Sequence, residues 1–392
     1  MQTFTCSCGN RLFFENNVCM HCQSETGFLP DYLQLAPIRQ IDDQHWKTDR
    51  VPDRRYRKCA NYTAHHVCNW MIVEDEGSEY CLSCRLNKII PDLSNTANYR
   101  RWYRMERAKR RTLYNLFKLG LTVVDRKRDP RNGLEFRFME DIKQYDPYTQ
   151  ELVRYKQIMT GHQTGTITIN IQEADHSHRE AMREYMNEPY RTTLGHVRHE
   201  IGHYFWDRLI AGSSNLDRFR ELFGDEREDY KQSLEHYYKN GPQANWQENF
   251  ISAYASAHAW EDWAETWAHY LHITDTMETA YDFGLSIEGH ALPPPLNASD
   301  DIKVFANEYL HAIAFDDLLT DWMRLTILMN ALNRSMGLRD AYPFSVSAGV
   351  SDKLRFVHQV IAAKVKQQAN TPQTKPNTSA YAAGPVYTDK PG

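Results

Sequence analysis

All eight cysteines fall before residue 85 of a 392-residue chain, so the first quarter must fold under a constraint that the rest does not share. Cys6-x-Cys8 and Cys19-x2-Cys22 form one set, and Cys59, Cys68 and Cys81-x2-Cys84 form another. Paired thiols on short turns suit a tetrahedral ion, because each turn presents two sulfurs to one point. The first set is the tighter pattern. In the second, Cys59 and Cys68 stand further apart, His65 or His66 offers a substitute donor, and ligands shared crosswise between the sets are an alternative. Disulfides are the competing use of the thiols. The opening residues Met1-Gln2-Thr3-Phe4-Thr5-Cys6 show neither a basic segment nor an apolar one. A cytoplasmic, reducing location is therefore expected, in which thiols bind metal rather than pair. Residues 1–95 are too poor in aliphatic runs to fold on a core alone. They are expected to form a small β-rich domain stapled by two structural zinc ions, closing at Ile89-Ile90-Pro91-Asp92-Leu93-Ser94.

The second constraint is His199-Glu200-Ile201-Gly202-His203. On a helix, residues four apart leave the same face, so both imidazoles reach one ion. Glu200 lies between them, where a general base acting on an ion-activated water would stand. The competing reading is two helix histidines bonded to nearby carbonyls. A catalytic zinc takes three protein ligands and leaves a fourth position open. Downstream, Trp260-Glu261-Asp262-Trp263-Ala264-Glu265-Thr266-Trp267 sets Glu261 and Glu265 four apart on an aromatic-rich helical stretch. One carboxylate can bind the metal while the other accepts the spare N–H of a ligand imidazole and fixes its tautomer. An exposed acidic stripe is the plainer reading, but the three tryptophans favour burial. His269 and His272 are rival ligands if Glu261 is exposed. His196, three residues before His199, reads as a core or supporting histidine.

Together these two stretches resemble the zincin metallopeptidases with a glutamate ligand, specifically the bacterial zinc-binding metallopeptidase family that carries an N-terminal zinc ribbon. The run Glu261-x-x-Ala264-Glu265-x-Trp267-Ala268 is also similar to the catalytic helix of anthrax lethal factor. The resemblance implies that Glu261 is the metal ligand and Glu265 its supporting partner. It also implies that Tyr254, seven residues before Glu261, donates a hydrogen bond to the developing oxyanion, an interaction worth a few kcal/mol in such sites, about 3 kcal/mol.

The remaining sequence reads as an α+β protein, with a mainly helical zincin-like domain at 96–366 that carries a small sheet. With 41% hydrophobic and 25% charged residues the composition is that of a globular chain, and no run of apolar residues is long enough for a membrane span. A helix is expected from about residue 96, with Arg100, Arg101, Arg104, Arg107, Lys109, Arg110 and Arg111 interleaved with Tyr99, Trp102 and Tyr103. Such a helix beside a zinc ribbon has the composition of a nucleic-acid contact. The favoured reading is a solvated face that salt-bridges to the acidic catalytic domain behind it, since residues 1–111 carry a balance of only +4 and the remainder −9. Leu134–Met139 and Gly165–Ile171 alternate apolar and polar residues and read as half-buried strands, the second as an edge strand able to hold an extended peptide, preceded by a turn at 161–165. Helices are expected at about 177–187, 192–210, 301–337 and 351–367, with Ser351 and Asp352 at the start of the last. The charged segment through Gly224 and Gly241-Pro242 should rim the cleft, and 367–392 should be a disordered tail.

The function expected is zinc-dependent hydrolysis of a peptide or protein substrate. His199, His203 and Glu261 hold the catalytic ion, with Glu200 as general base. The alternative is a non-catalytic nucleic-acid or protein-binding module on a zincin scaffold.

Overall fold

The computed structural model describes residues 1–185, 191–287, 290–291 and 313–370. It is a mixed α+β protein, with a β-rich N-terminal region followed by mainly helical chain. It separates into two compact units, one of Gln2–Tyr114 with Val123–Glu180 and one built chiefly of Asn115–Thr122 with residues 181–372.

In the first unit, short antiparallel pairs carry the cysteine turns. Phe4–Thr5 pairs with Arg11–Leu12, and Thr26–Leu29 with Gln34–Pro37. A four-stranded sheet runs from Arg39–Gln40 through Trp46–Thr48 and Val51–Lys58 to Met71–Val73. Their core mixes aromatic and aliphatic side chains: Phe14, Phe28, Tyr56 and Trp70 are buried together with Leu29, Leu35, Val67 and Ile72. The basic helix, Thr96–Lys118, follows. Its charges are largely used inside the unit. Arg101 pairs with Asp175 at 2.7 Å, Arg111 with Glu15, and buried Lys109 with Glu106 at 3.0 Å. Arg104 donates to the Ala174 carbonyl and Arg110 to that of Val67. The helix is thus paired, but not as the solvated face expected: Lys109 and Arg110 are buried, Arg104 and Arg110 bond backbone carbonyls, and Arg111 pairs with Glu15 of the ribbon.

A second four-stranded sheet has the order Gly161–Gln163, Thr166–Asn170, Glu135–Met139, Asn87–Ile89. Both predicted strands form, but Thr166–Asn170 is interior, not an edge. The segment read as a turn supplies the edge strand, because Gly161–Gln163 folds back antiparallel onto it. Thr164 and Gly165 make that reversal at φ 45° and 79°. A positive φ at both central residues is what a two-residue hairpin turn with the right twist requires. A Cβ on Gly165 would stand 2.4 Å from the Gly133 carbonyl, so glycine is required there twice over.

The second unit is helical. Thr193–Leu209 (the histidine helix) begins where expected, with Thr192 as N-cap accepting from the Gly195 amide at 3.0 Å. It packs on Ala259–Asp282 (the glutamate helix). The approach is close because Gly202 has no side chain: a Cβ there would meet Ala264 Cα at 3.0 Å. The Trp263 indole then donates to the Gly202 carbonyl at 2.8 Å, and Phe205 stacks on Trp267 at 4.8 Å. Shorter helices at Leu216–Phe223 and Tyr230–Asn240 (the tyrosine helix) occupy the segment between. Phe315–Ser335 and Ala348–Asn370 complete the unit. The last helix starts three residues earlier than expected, with Ser347 accepting from the Val350 amide, and it continues through Asn370. The helix at His176–Tyr185 matches its expectation up to residue 185. The expected continuations at 186–187 and 301–312 and the tail from 371 lie outside the described residues.

Candidate metal centres and active site

Two clusters assemble from the cysteines as the spacing suggested, without crosswise exchange and without His65 or His66: Cys6, Cys8, Cys19 and Cys22 in one, Cys59, Cys68, Cys81 and Cys84 in the other. Within them Cys6–Cys22, Cys8–Cys19 and Cys68–Cys81 sulfurs stand 3.5, 3.7 and 3.7 Å apart. A disulfide needs about 2.05 Å. A tetrahedron with Zn–S bonds of about 2.3 Å has edges of roughly 3.8 Å, so the donors fit zinc. The second cluster is wholly buried, with the buried guanidinium of Arg110 beside it. Burial pushes the Cys68 thiol up, but hydrogen bonds from the neighbouring thiols and, to a lesser degree, that positive charge hold it well below its ordinary value.

The third cluster is His199, His203 and Glu261, whose donor atoms lie within 4.8 Å of one another. The His199 and His203 Nε2 atoms are 3.2 Å apart. Glu261 Oε2 is 3.0 Å from His199 Nε2, and Oε1 is 3.6 Å from His203 Nε2. A tetrahedral zinc with Zn–N bonds of about 2.0–2.1 Å would want edges of roughly 3.3 Å, and the separations of His199 Nε2 from His203 Nε2 and from Glu261 Oε2, 3.2 and 3.0 Å, lie close to it. Glu261 is 1% exposed, which removes the condition under which His269 or His272 would serve. Both are engaged elsewhere: His269 Nδ1 lies 2.7 Å from the Tyr342 hydroxyl, and His272 Nδ1 lies 2.8 Å from Arg198. His196 is not part of the cluster.

Glu265 takes the supporting position. Its Oε1 is 2.7 Å from His199 Nδ1, and its Oε2 accepts from the Ser252 hydroxyl at 2.7 Å. With Nδ1–H directed at a carboxylate, His199 Nε2 offers a lone pair to the space it shares with His203 and Glu261. Burial alone would raise the Glu261 carboxyl, but the imidazoles of His203 and His199 hold it well below the carboxylate range. Burial would likewise lower His199, and the two glutamates reverse this and raise it well above the usual imidazole value. Groups that attract protons this strongly attract a divalent cation for the same reason.

Glu200 is buried on the histidine helix one residue from His199. Tyr254 opens a short 3-10 turn, Tyr254–Ala257, with its ring 6.0 Å from that of His199. Burial, then the charge of Glu261, pushes its phenol well up, so it remains a proton donor.

Three contributors went unnoticed in the sequence. Tyr230 donates to Glu261 Oε1 at 2.7 Å, Ser252 holds Glu265, and His258 caps the glutamate helix by accepting from the Trp260 amide at 3.1 Å. His258 directly precedes a helical run, but histidine is not a favoured N-cap residue, so its role was not marked. Nothing local marked Tyr230 or Ser252.

Two four-thiolate clusters and a His-His-Glu cluster define a zinc-binding protein with an N-terminal zinc ribbon. Residues 98–360 match the family model described as "Putative zinc-binding metallo-peptidase", and residues 3–95 match a zinc-ribbon domain; the chain belongs to that metallo-peptidase family. Proteins of Mycobacterium tuberculosis (strain ATCC 25618 / H37Rv) and Mycobacterium bovis (strain ATCC BAA-935 / AF2122/97), each named as uncharacterized, are 41% identical to it over 365 residues, 92% of this chain and 95% of theirs. No solved structure matches. Among the described residues, no helix is long and apolar enough to cross a membrane.

Proposed function

We propose that the chain is a zinc-dependent peptidase in which His199, His203 and Glu261 hold the catalytic ion and the two cysteine clusters hold structural zinc. The observation that carries this reading is the convergence of two imidazoles and a buried carboxylate at tetrahedral spacing, with Glu265 fixing the His199 tautomer. A zinc ion there would acidify water and polarise the scissile carbonyl. Glu200 takes the proton from the attacking water and returns it to the leaving amine. Tyr254 donates to the oxygen on which negative charge develops. Glu265, braced by Ser252, keeps His199 oriented through the cycle. The division into a ribbon at 1–95 and a peptidase domain at 96–366 is supported by the two family matches, 3–95 and 98–360; the compact units divide elsewhere, with Asn87–Ile89 paired to Glu135–Met139. Eight reduced thiols arranged for zinc fit the cytoplasm.

Elemental analysis of wild type beside His203→Ala tests the assignment. Three zinc ions per chain should fall to two, and Glu200→Gln should keep three while losing peptide cleavage. Two ions in both wild type and His203→Ala would refute the catalytic site. Turnover by Glu200→Gln would remove that residue from the mechanism.

A further inference from the structure

Tyr230 is the first residue of the tyrosine helix, and the preceding Asp229 caps that helix by accepting from the Gln232 amide at 2.9 Å. This helix buries none of its residues. Only Ser233, Leu234 and Tyr237 are even half-buried, and the helix meets the site through aromatic rings and the Tyr230 hydroxyl. Tyr230 packs edge-on against His258 at 5.2 Å and beside Trp260 at 5.9 Å, and Tyr237 packs edge-on against Tyr254 at 5.7 Å.

His258 is the joint. Its Nδ1 accepts the Trp260 amide N–H, so its proton sits on Nε2, which lies 3.2 Å from the Glu228 carbonyl and donates to it. One buried imidazole thus ties the start of the glutamate helix to the backbone two residues before Tyr230. Glu261 is the third residue of that helix. The geometry on both sides of the Tyr230–Glu261 hydrogen bond is set by the same side chain.

A carboxylate can meet a cation through either oxygen or both. In Glu261, Oε1 carries the Tyr230 phenol at 2.7 Å and lies 3.6 Å from His203 Nε2, whereas Oε2 comes closer to an imidazole, 3.0 Å from His199 Nε2, and has no aligned donor of its own. We propose that Tyr230 is a positioning residue for the metal: its phenol engages one oxygen of Glu261, so that the other is presented to the ion, and His258 holds the phenol in place. This rests on the assignment of His199, His203 and Glu261 as zinc ligands. Tyr254 has the complementary task, since its ring faces His199 and it has the substrate, not the ligand carboxylate, to serve.

The test is zinc affinity of the full chain, with zinc itself as the probe, titrated against a competing chelator under conditions that strip the third ion and leave the two cysteine-held ions in place. Tyr230→Phe keeps the ring on His258 and Trp260 and removes only the hydroxyl. It should weaken binding of the third ion by about tenfold or more. The exposed neighbour variant Tyr238→Phe should leave that affinity unchanged. His258→Asn, which can still cap the helix but cannot reach Glu228, should weaken it in the same direction by less. A purely structural role for Tyr230 would instead lower the unfolding temperature of the zinc-stripped protein and spare the affinity. Wild-type affinity in Tyr230→Phe overturns the proposal and leaves the ligand assignment intact. A wild type with no third ion overturns both. A third ion that Tyr230→Phe weakens, in a protein that cleaves no peptide, supports the positioning role while refuting the peptidase reading.

Discussion

Replacing Gly202 with alanine pushes a methyl group into the contact between the two helices that carry all three ligands of the His-His-Glu cluster. The new Cβ would lie 3.0 Å from Ala264 Cα, 3.2 Å from Trp267 Cδ1 and 3.3 Å from the Ala264 carbonyl oxygen. Carbon atoms prefer about 3.5–4.0 Å, so the helices must part by roughly 0.5–1 Å. The Ala264 atoms in this contact are backbone, so no rotamer change relieves it. Overpacking of this kind costs about 1–3 kcal/mol, while alanine in a helix interior recovers about 1 kcal/mol relative to glycine. The Trp263 bond to the Gly202 carbonyl, now 2.8 Å, lengthens as well, a loss of up to about 1 kcal/mol. The net destabilisation should be about 1–2 kcal/mol, and the unfolding midpoint of the zinc-stripped protein should fall by several degrees, at about 2–4 °C per kcal/mol for a unit of this size. Because His199 and His203 move relative to Glu261, affinity for the third zinc should fall by about tenfold or more, roughly 1.4 kcal/mol. Thermal unfolding followed by circular dichroism and a chelator-competition titration read the two effects separately. A variant at least as stable as wild type, with unchanged zinc affinity, would mean that helix propensity outweighs the contact and that the close approach is not what sets the ligand geometry.

Three further perturbations probe the same structure. Ser252→Ala leaves Glu265 with only His199, and should cost about 1.5–3 kcal/mol of stability in denaturant unfolding while weakening the third zinc; retention of both would exclude Ser252 as a brace. Lys353 and Asp262 form a buried pair at 2.6 Å, so Lys353→Met should destabilise the second unit by about 3–5 kcal/mol by stranding the carboxylate. A double variant Lys353→Met with Asp262→Leu should recover much of that loss, and no recovery would show that packing, not charge, is at stake. Removing all zinc with a strong chelator should abolish protection of the 1–95 amides in hydrogen exchange and leave the buried part of the Phe315–Ser335 helix protected; a ribbon that stays protected without metal would contradict its dependence on the thiolates.

The cysteine pattern was legible because zinc knuckles are local: two thiols on one turn are brought together by the turn itself, whatever surrounds it. The histidine pair was legible for the same reason, since four residues along a helix fix a shared face. Even Glu261 and Glu265 could be paired as candidates by their spacing. What spacing could not supply was which face of the glutamate helix would turn toward the histidines. That depended on the bare backbone of Gly202, the indole of Trp263 and the burial of Trp267. Nor was the strand order readable: alternation marked Thr166–Asn170 as a strand, but whether a strand is edge or interior depends on its neighbour, and a short segment with two positive-φ residues supplied that neighbour.

Sequence by itself therefore determined the candidate donors: two sets of four thiols, and two imidazoles with a choice of carboxylates. Tertiary structure alone decided how those donors are aimed. Tyr230 stands 31 residues from Glu261 in sequence and 2.7 Å from it in space. Ser252 is likewise 2.7 Å from Glu265, and no local spacing marks it as the brace. Ligand identity is a property of residue types at short range. Ligand orientation is set by contacts between segments that meet only after the chain has packed.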